Sequence, residues 1–130
     1  MATEILVNDG GAPARILPFT AGSALTGGRA VQMGADGEVD TIASADVNSV
    51  FGVALTDATS GNNASIISGR GIVLNMYVSG TVGLGDNVAT LADGNLGPAG
   101  SSAVACGVYI DPSGAHSGAA TLQRVLWTGG

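Results

Sequence analysis

The sequence predicts an all-β fold, a small barrel or sandwich built from two pseudo-repeats, and three observations predict it. Runs rich in Val, Ile and Thr are cut about every eight to twelve residues by Gly, Asp, Asn and Pro, which is how short strands joined by turns are punctuated. Helical periodicity is nearly absent. The third observation is self-similarity. Gly28, Val31, Ala35, Asp36 and Gly37 recur as Gly85, Val88, Ala92, Asp93 and Gly94, all at a spacing of 57 residues, and such repetition decides how a chain is divided.

Strands are expected at Thr3–Val7, Arg15–Phe19, Arg29–Met33, Glu38–Ile42, Val50–Leu55, Ala64–Ile67, Gly71–Val78, Asn87–Leu91, Val104–Ile110 and Ala119–Trp127. The clearest is Gly71–Val78, where Ile72, Leu74, Met76 and Val78 share one face and Val73, Asn75 and Tyr77 the other. It is the candidate central strand. Asp36-Gly37 and Asp93-Gly94 each lie between two such runs, and Asp-Gly readily takes the positive φ angles of a tight hairpin. Ala43–Asn48 could form one helical turn capped by Ser44 or Asp46.

The repeat continues downstream. Val50-Phe51-Gly52-Val53-Ala54-Leu55 matches Ala105-Cys106-Gly107-Val108-Tyr109-Ile110 at a spacing of 55, Asp57 matches Asp111 at 54, and Ala64–Ile66 matches Ala120–Leu122 at 56. The pseudo-repeats therefore run over about 28–67 and 85–122, inside one β domain of residues 21–130. Residues 1–20 fall outside the repeat. They carry Ile5, Leu6, Val7, Arg15, Ile16, Leu17 and Phe19 in two clusters around a Gly- and Pro-containing break. Two readings stand: a hairpin completing the sheet, or an extended N-terminal arm that adds a strand to a neighbouring molecule.

At 130 residues the chain has room for one ordinary domain. Its 22 glycines and 20 alanines leave few large side chains for a core, so help from a partner or oligomer is expected. The 10 Asp and Glu against 4 Arg, with no Lys, give a formal net charge of −6. Arg15, Arg29, Arg70 and Arg124 are scattered singly, which disfavours nucleic acid and anionic membranes as direct partners. One cysteine, Cys106, excludes an intrachain disulfide. The start lacks the features of a signal peptide and no window reaches the length of a membrane span, so synthesis in a cytoplasm is expected.

Catalysis needs titratable or nucleophilic groups gathered in one place. Asp111, Ser113 and His116 are the nearest approach, and they share one Pro- and Gly-containing loop where a solvated turn is the simpler reading. One His and one Cys cannot supply a usual zinc set, and Asp36, Glu38 and Asp40 lack calcium-loop spacing. No enzyme activity, metal or cofactor is expected. Gly80, Gly83 and Gly85 are not followed by the Lys or helix of a phosphate loop and read as backbone joints. Tyr109 and Trp127 are either core residues or self-association anchors, Trp127 being the stronger interface candidate at the end of the last strand.

Gly28–Ile42, Val50–Asp57, the Gly71 strand, Gly85–Leu96 and Ala105–Ile110 together resemble the capsid cement, or head decoration, proteins of tailed bacteriophages and related viruses, over roughly Gly22 to Trp127. The resemblance implies a barrel-like or β-tulip-like domain, often trimeric, on the outer surface of the expanded capsid. There it would tie neighbouring major capsid proteins together. Residues Ile5, Leu6, Val7, Arg15, Ile16, Leu17 and Phe19 would then be the capsid-gripping set. The alternatives are a tail-tube or fibre component of a virion, and a carbohydrate-binding β module, which the scarcity of aromatic platforms disfavours.

Overall fold

The computed structural model describes residues 5–8, 15–34, 36–42, 50–99 and 105–129. These form β1 (Leu6–Asn8), β2 (Arg15–Thr20), β3 (Ala30–Met33), β4 (Val39–Thr41), β5 (Val50–Ala54), β6 (Asn63–Ser68), β7 (Ile72–Val78), β8 (Asn87–Thr90), β9 (Leu96–Pro98), β10 (Gly107–Tyr109) and β11 (Thr121–Trp127). Among the described residues the one helical element is a 3-10 turn, Ala92–Gly94. The expected all-β, barrel-like class is what forms.

The strands fall into two five-membered sets of identical order. The first runs β2-β6-β5-β3-β4 and the second β7-β11-β10-β8-β9, with β1 added beside β7. The second set closes into a barrel through the parallel contact Val78↔Leu96. The first returns on itself in the same way, through the parallel bridge Ala21↔Val39. Each partner in one closure lies 57 residues from its counterpart in the other. Internal registers agree too: Val31 faces Gly52 as Val88 faces Gly107, and Gln32 faces Asp40 as Ala89 faces Gly97. The duplication is a property of the backbone.

Three expectations change at this level. The segment read as an arm outside the repeat is, where described, paired within the chain. Leu6 lies opposite Leu74, and β2 pairs with β6 along its whole length, from Arg15↔Ser68 to Thr20↔Asn63. Because β2 is the first repeat's counterpart of β7, that repeat begins near residue 15. The spacing assigned to β6 and β11 also shifts. Ala54 faces Ile66 while Tyr109 faces Val125, so Ile66 corresponds to Val125 at a spacing of 59, and the earlier match of Ala64–Ile66 to Ala120–Leu122 is out of register by three. A longer β10–β11 connection causes the slip, and the many small residues there hid it. Finally, β9 is a strand that its Leu-Gly-Pro sequence did not announce. Ala43–Asn48, the suggested helical turn, lies outside the described residues.

Both Asp-Gly hairpins form. At the second, Asp93 (φ 68°) and Gly94 (φ 81°) are both left-handed, a conformation Asp tolerates better than most side-chain-bearing residues. The strands they join come out with matched registers on either side of the turn.

Alternation assigns the faces. Ala21, Val31, Val39, Ala54, Ala64 and Ile66 fill the first barrel together with Leu25, and Phe19, Met33, Phe51 and Ala58 pack against them. Phe19 meets Phe51 edge to face at 5.0 Å. The second barrel is filled by Leu74, Met76, Val78, Val88, Leu96, Tyr109 and Val125, and this cluster continues into Ala30, Val53 and Ile67 of the first repeat. The expected central strand, β7, is partnered by β1, β11 and β9, and its face pattern is the alternation read from the sequence.

The repeated Gly-Val of β5 and β10 has a steric cause. A Cβ on Gly52 would lie 2.4 Å from the Ile67 carbonyl oxygen, and one on Gly107 would lie 2.9 Å from that of Leu126 and 2.8 Å from Val125 Cγ1. The neighbouring strand closes onto bare backbone at equivalent places in both barrels. Gly52→Ala is therefore expected to destabilise the fold by about 1–3 kcal/mol, the usual cost of overpacking, read as a lower urea midpoint at unchanged m-value.

Candidate interaction surface

The residues that could support chemistry are each engaged in holding turns. Asp111 Oδ1 accepts from the Ser113 amide (2.8 Å) and hydroxyl (2.6 Å), and its Oδ2 accepts from the Arg124 amide (2.8 Å). Partial burial works against its charge, but the Ser113 donors, the Arg124 amide and the Arg124 guanidinium outweigh this and hold the carboxyl below its ordinary value. His116 is buried, with Nδ1 2.9 Å from the Gly80 carbonyl and Nε2 3.0 Å from Thr121 Oγ1. Ser113 thus bonds the carboxylate and His116 bonds elsewhere. The three do not form a relay.

Asp36 and Glu38 sit on the first hairpin, where the Glu38 amide donates to Asp36 Oδ1 at 3.1 Å. That amide and the shared carboxyl contact lower Asp36, while the same Asp36 contact and charge raise Glu38. Among the described residues no group of three or more His, Cys, Asp or Glu is gathered so as to hold a metal ion. Burial pushes the Cys106 thiol up to about 12, so it behaves as a small core side chain. No helix of the described residues is long and apolar enough to cross a membrane.

The proposed gripping residues do not form one surface. Ile5 is buried in the second barrel's cluster and Phe19, partly buried, packs against the first barrel's cluster. Leu6 and Val7 lie in β1 beside β7, Arg15 opens β2, and Leu17 is half-buried in it. Ile16 is a large apolar side chain standing 48% exposed. The self-association pair is likewise corrected. Tyr109 and Trp127 are 0% and 1% exposed, so their surface is already spent inside their own barrel. The Tyr109 hydroxyl donates to the Gly114 carbonyl at 2.6 Å.

What the fold does present is a pair of apolar cross-strand rows, one on the outside of each barrel. In the first repeat Ile16, Ile67, Val53 and Ala30 lie side by side across β2, β6, β5 and β3. Their counterparts Val73, Leu126, Val108 and Asn87 lie side by side across β7, β11, β10 and β8. Ile67, Val53 and Ala30 are at most 1% exposed, covered by the second barrel. Val73, Leu126 and Val108 are only half-buried. The seam over the first row is tight: Gly94 approaches so closely that a Cβ there would lie 2.2 Å from the Ala30 carbonyl oxygen. The Tyr77 amide donates to the Gly28 carbonyl at 2.9 Å, and the Arg29 guanidinium lies 4.8 Å above the Tyr77 ring. The sequence reading did not find these rows, although the off-face residues of β7 and the Gly-Val pairs at 52–53 and 107–108 were the signal for them.

These features define a class: an all-β protein of two tandem barrels joined through the outer face of the first, with the polar groups of Asp111 and His116 hydrogen-bonded within the chain. No family model matches the chain, and no curated protein does. Among solved structures it is similar to the head fiber gp8.5 N base of bacteriophage phi29, with a TM-score of 0.68 and 18% identity, over 89% of this chain and 95% of that one. At that identity the likeness shows a shared fold.

The lowered Asp111 gives a sign for acid stability. A carboxyl depressed in the folded state contributes stability above its unfolded value, near 4, which is lost as pH falls through the folded value. Asp111→Ala should lower stability at neutral pH by on the order of 1–2 kcal/mol through its lost hydrogen bonds. The gap to wild type should narrow in urea titrations at progressively lower pH.

Proposed function

We propose that the chain is a non-enzymatic structural protein of a virion, set on the outer surface of the capsid, where it cements neighbouring major capsid proteins and stabilises the expanded head. The observation that carries this reading is the fold match along nearly the full length of a phage head-fiber base. It is joined by the resemblance of the repeat motifs to decoration proteins. Small-residue barrels with half-covered apolar strips suit a protein completed by assembly, and symmetric copies on a lattice would multiply modest contacts. A homotrimer on the capsid is the arrangement this reading favours.

A fibre-base role is the second reading, since the structural neighbour is itself part of a head fiber. It differs in what the outer end of the protein carries, and it shares the attachment to the head.

Because β1 and β2 are integral to the two sheets, deleting residues 1–20 would unfold the protein and could not report on docking. The test uses the full chain, co-sedimented with expanded, undecorated shells of its source virus. Saturation at a fixed ratio to the major capsid protein, with shells that then resist heating better, is expected. Ile16→Glu, on the exposed flank of β2, should weaken binding about tenfold or more, the loss of one well-placed apolar anchor. A folded chain that leaves the shells bare would overturn the reading.

A further inference from the structure

The two outer rows occupy equivalent positions in the duplicated barrels, yet among the described residues only the first is fully buried. Each member of the second row pairs with its neighbour in the register of the first: Leu126 faces Val73 and Val108 as Ile67 faces Ile16 and Val53. Directly beside each of these residues on its strand is one that points inward, Val125 next to Leu126 and Tyr109 next to Val108, and both are fully buried. The row is therefore on the outside of the barrel by alternation. Three of its four positions are nonetheless Val or Leu, where an outward strand face in water ordinarily alternates to polar residues.

From this we infer that the row Val73–Leu126–Val108 is a self-association surface, covered in the assembled protein by a barrel of a second copy of this chain. The occupant is indicated by the first repeat. There the same row, in the same register, is buried by a barrel of this same kind, and it joins that barrel's interior in one continuous apolar cluster. The contact between copies is not a simple extension of the internal seam. Asn87 stands where Ala30 admits the close approach of Gly94, so the second copy must sit farther from β8. The first barrel also carries Arg15 and Ser68 at the register positions where the second has the apolar pair Ile72 and Trp127, so the two barrels are not interchangeable as partners. An endless head-to-tail stack of identical seams is thereby disfavoured. A small closed oligomer is the expected product. This inference concerns contacts between copies and does not depend on docking to a capsid.

Val108→Cys tests it in the full chain without shells. The native Cys106 is buried with its thiol pushed up to about 12, so the introduced thiol is the one that reacts with a maleimide. Labelling is expected to slow several-fold as protein concentration rises through the association range. A rate that stays fast at every concentration would overturn the inference, because the row is then open. A rate that stays slow at every dilution would overturn it equally, because the chain then covers its own row. Sedimentation velocity gives the independent reading: wild type should show a concentration-dependent oligomer, and Leu126→Gln, folded by circular dichroism, should sediment as a single chain. A wild type that remains a single chain at all concentrations, or a folded Leu126→Gln that keeps the wild-type mass, would contradict it. Shell binding measured separately on the same variants shows whether the capsid reading stands or falls with it.

Discussion

Everything in this molecule depends on the burial of one row of side chains, Ala30, Val53 and Ile67, on the outside of one barrel and against the inside-facing cluster of the next. A barrel made largely of Ala, Gly and Val encloses too little apolar surface to be robust alone. Using the outer face of its sheet as well gives it a second layer of contacts. The cost is sequence freedom: three strands of the first repeat must be apolar on both faces where the seam crosses them, so the neighbouring residues Ala30 and Val31 of β3, Val53 and Ala54 of β5, and Ile66 and Ile67 of β6 are all apolar and buried. The same seam explains why Gly94 and Ala30 meet with no room for a side chain, and why Arg29 lies across Tyr77.

Duplication provides the arrangement with its economy and leaves it with an unfinished end. Tandem units that bury a face of one against the next always leave one face without a neighbour. Here that face has been only partly made polar, at Asn87, and is otherwise still Val and Leu. The exposed flank of β2 is managed differently. Pro18 lies in a strand that pairs along its length on one side only, a position where proline can be tolerated and where it discourages further strand pairing.

Much of the fold was legible in the residues. The alternation of Ile72–Val78, the two Asp-Gly turns and the spacing of 57 located β7, both hairpins and the equivalence of β3 with β8. What escaped had specific causes. The first strand of the repeat was missed because Arg15–Thr20 and Ile72–Val78 share pairing geometry and little sequence, Pro18 standing where the counterpart is Asn75. The β6–β11 match slipped because its loop is longer and its residues are small. At the level of the site, a single sequence marks apolar positions without saying which neighbour covers them. Trp127 therefore stayed open between anchor and core when it is core, and Phe19 was placed in a gripping set when it packs against the first barrel's cluster. Composition carried the charge argument, and the polar groups around Asp111 and His116 turned out to be turn-forming bonds that only three-dimensional partners could reveal.

The central claim, that the buried outer row makes the two barrels one cooperative body, is tested most directly by native-state hydrogen exchange of the slow amides in β5 and β6 against those in β7 and β11. A shared opening free energy across both sets, lowered equally in both by mild denaturant, is the predicted result. Two separate values, with the second barrel persisting after the first has opened, would contradict it.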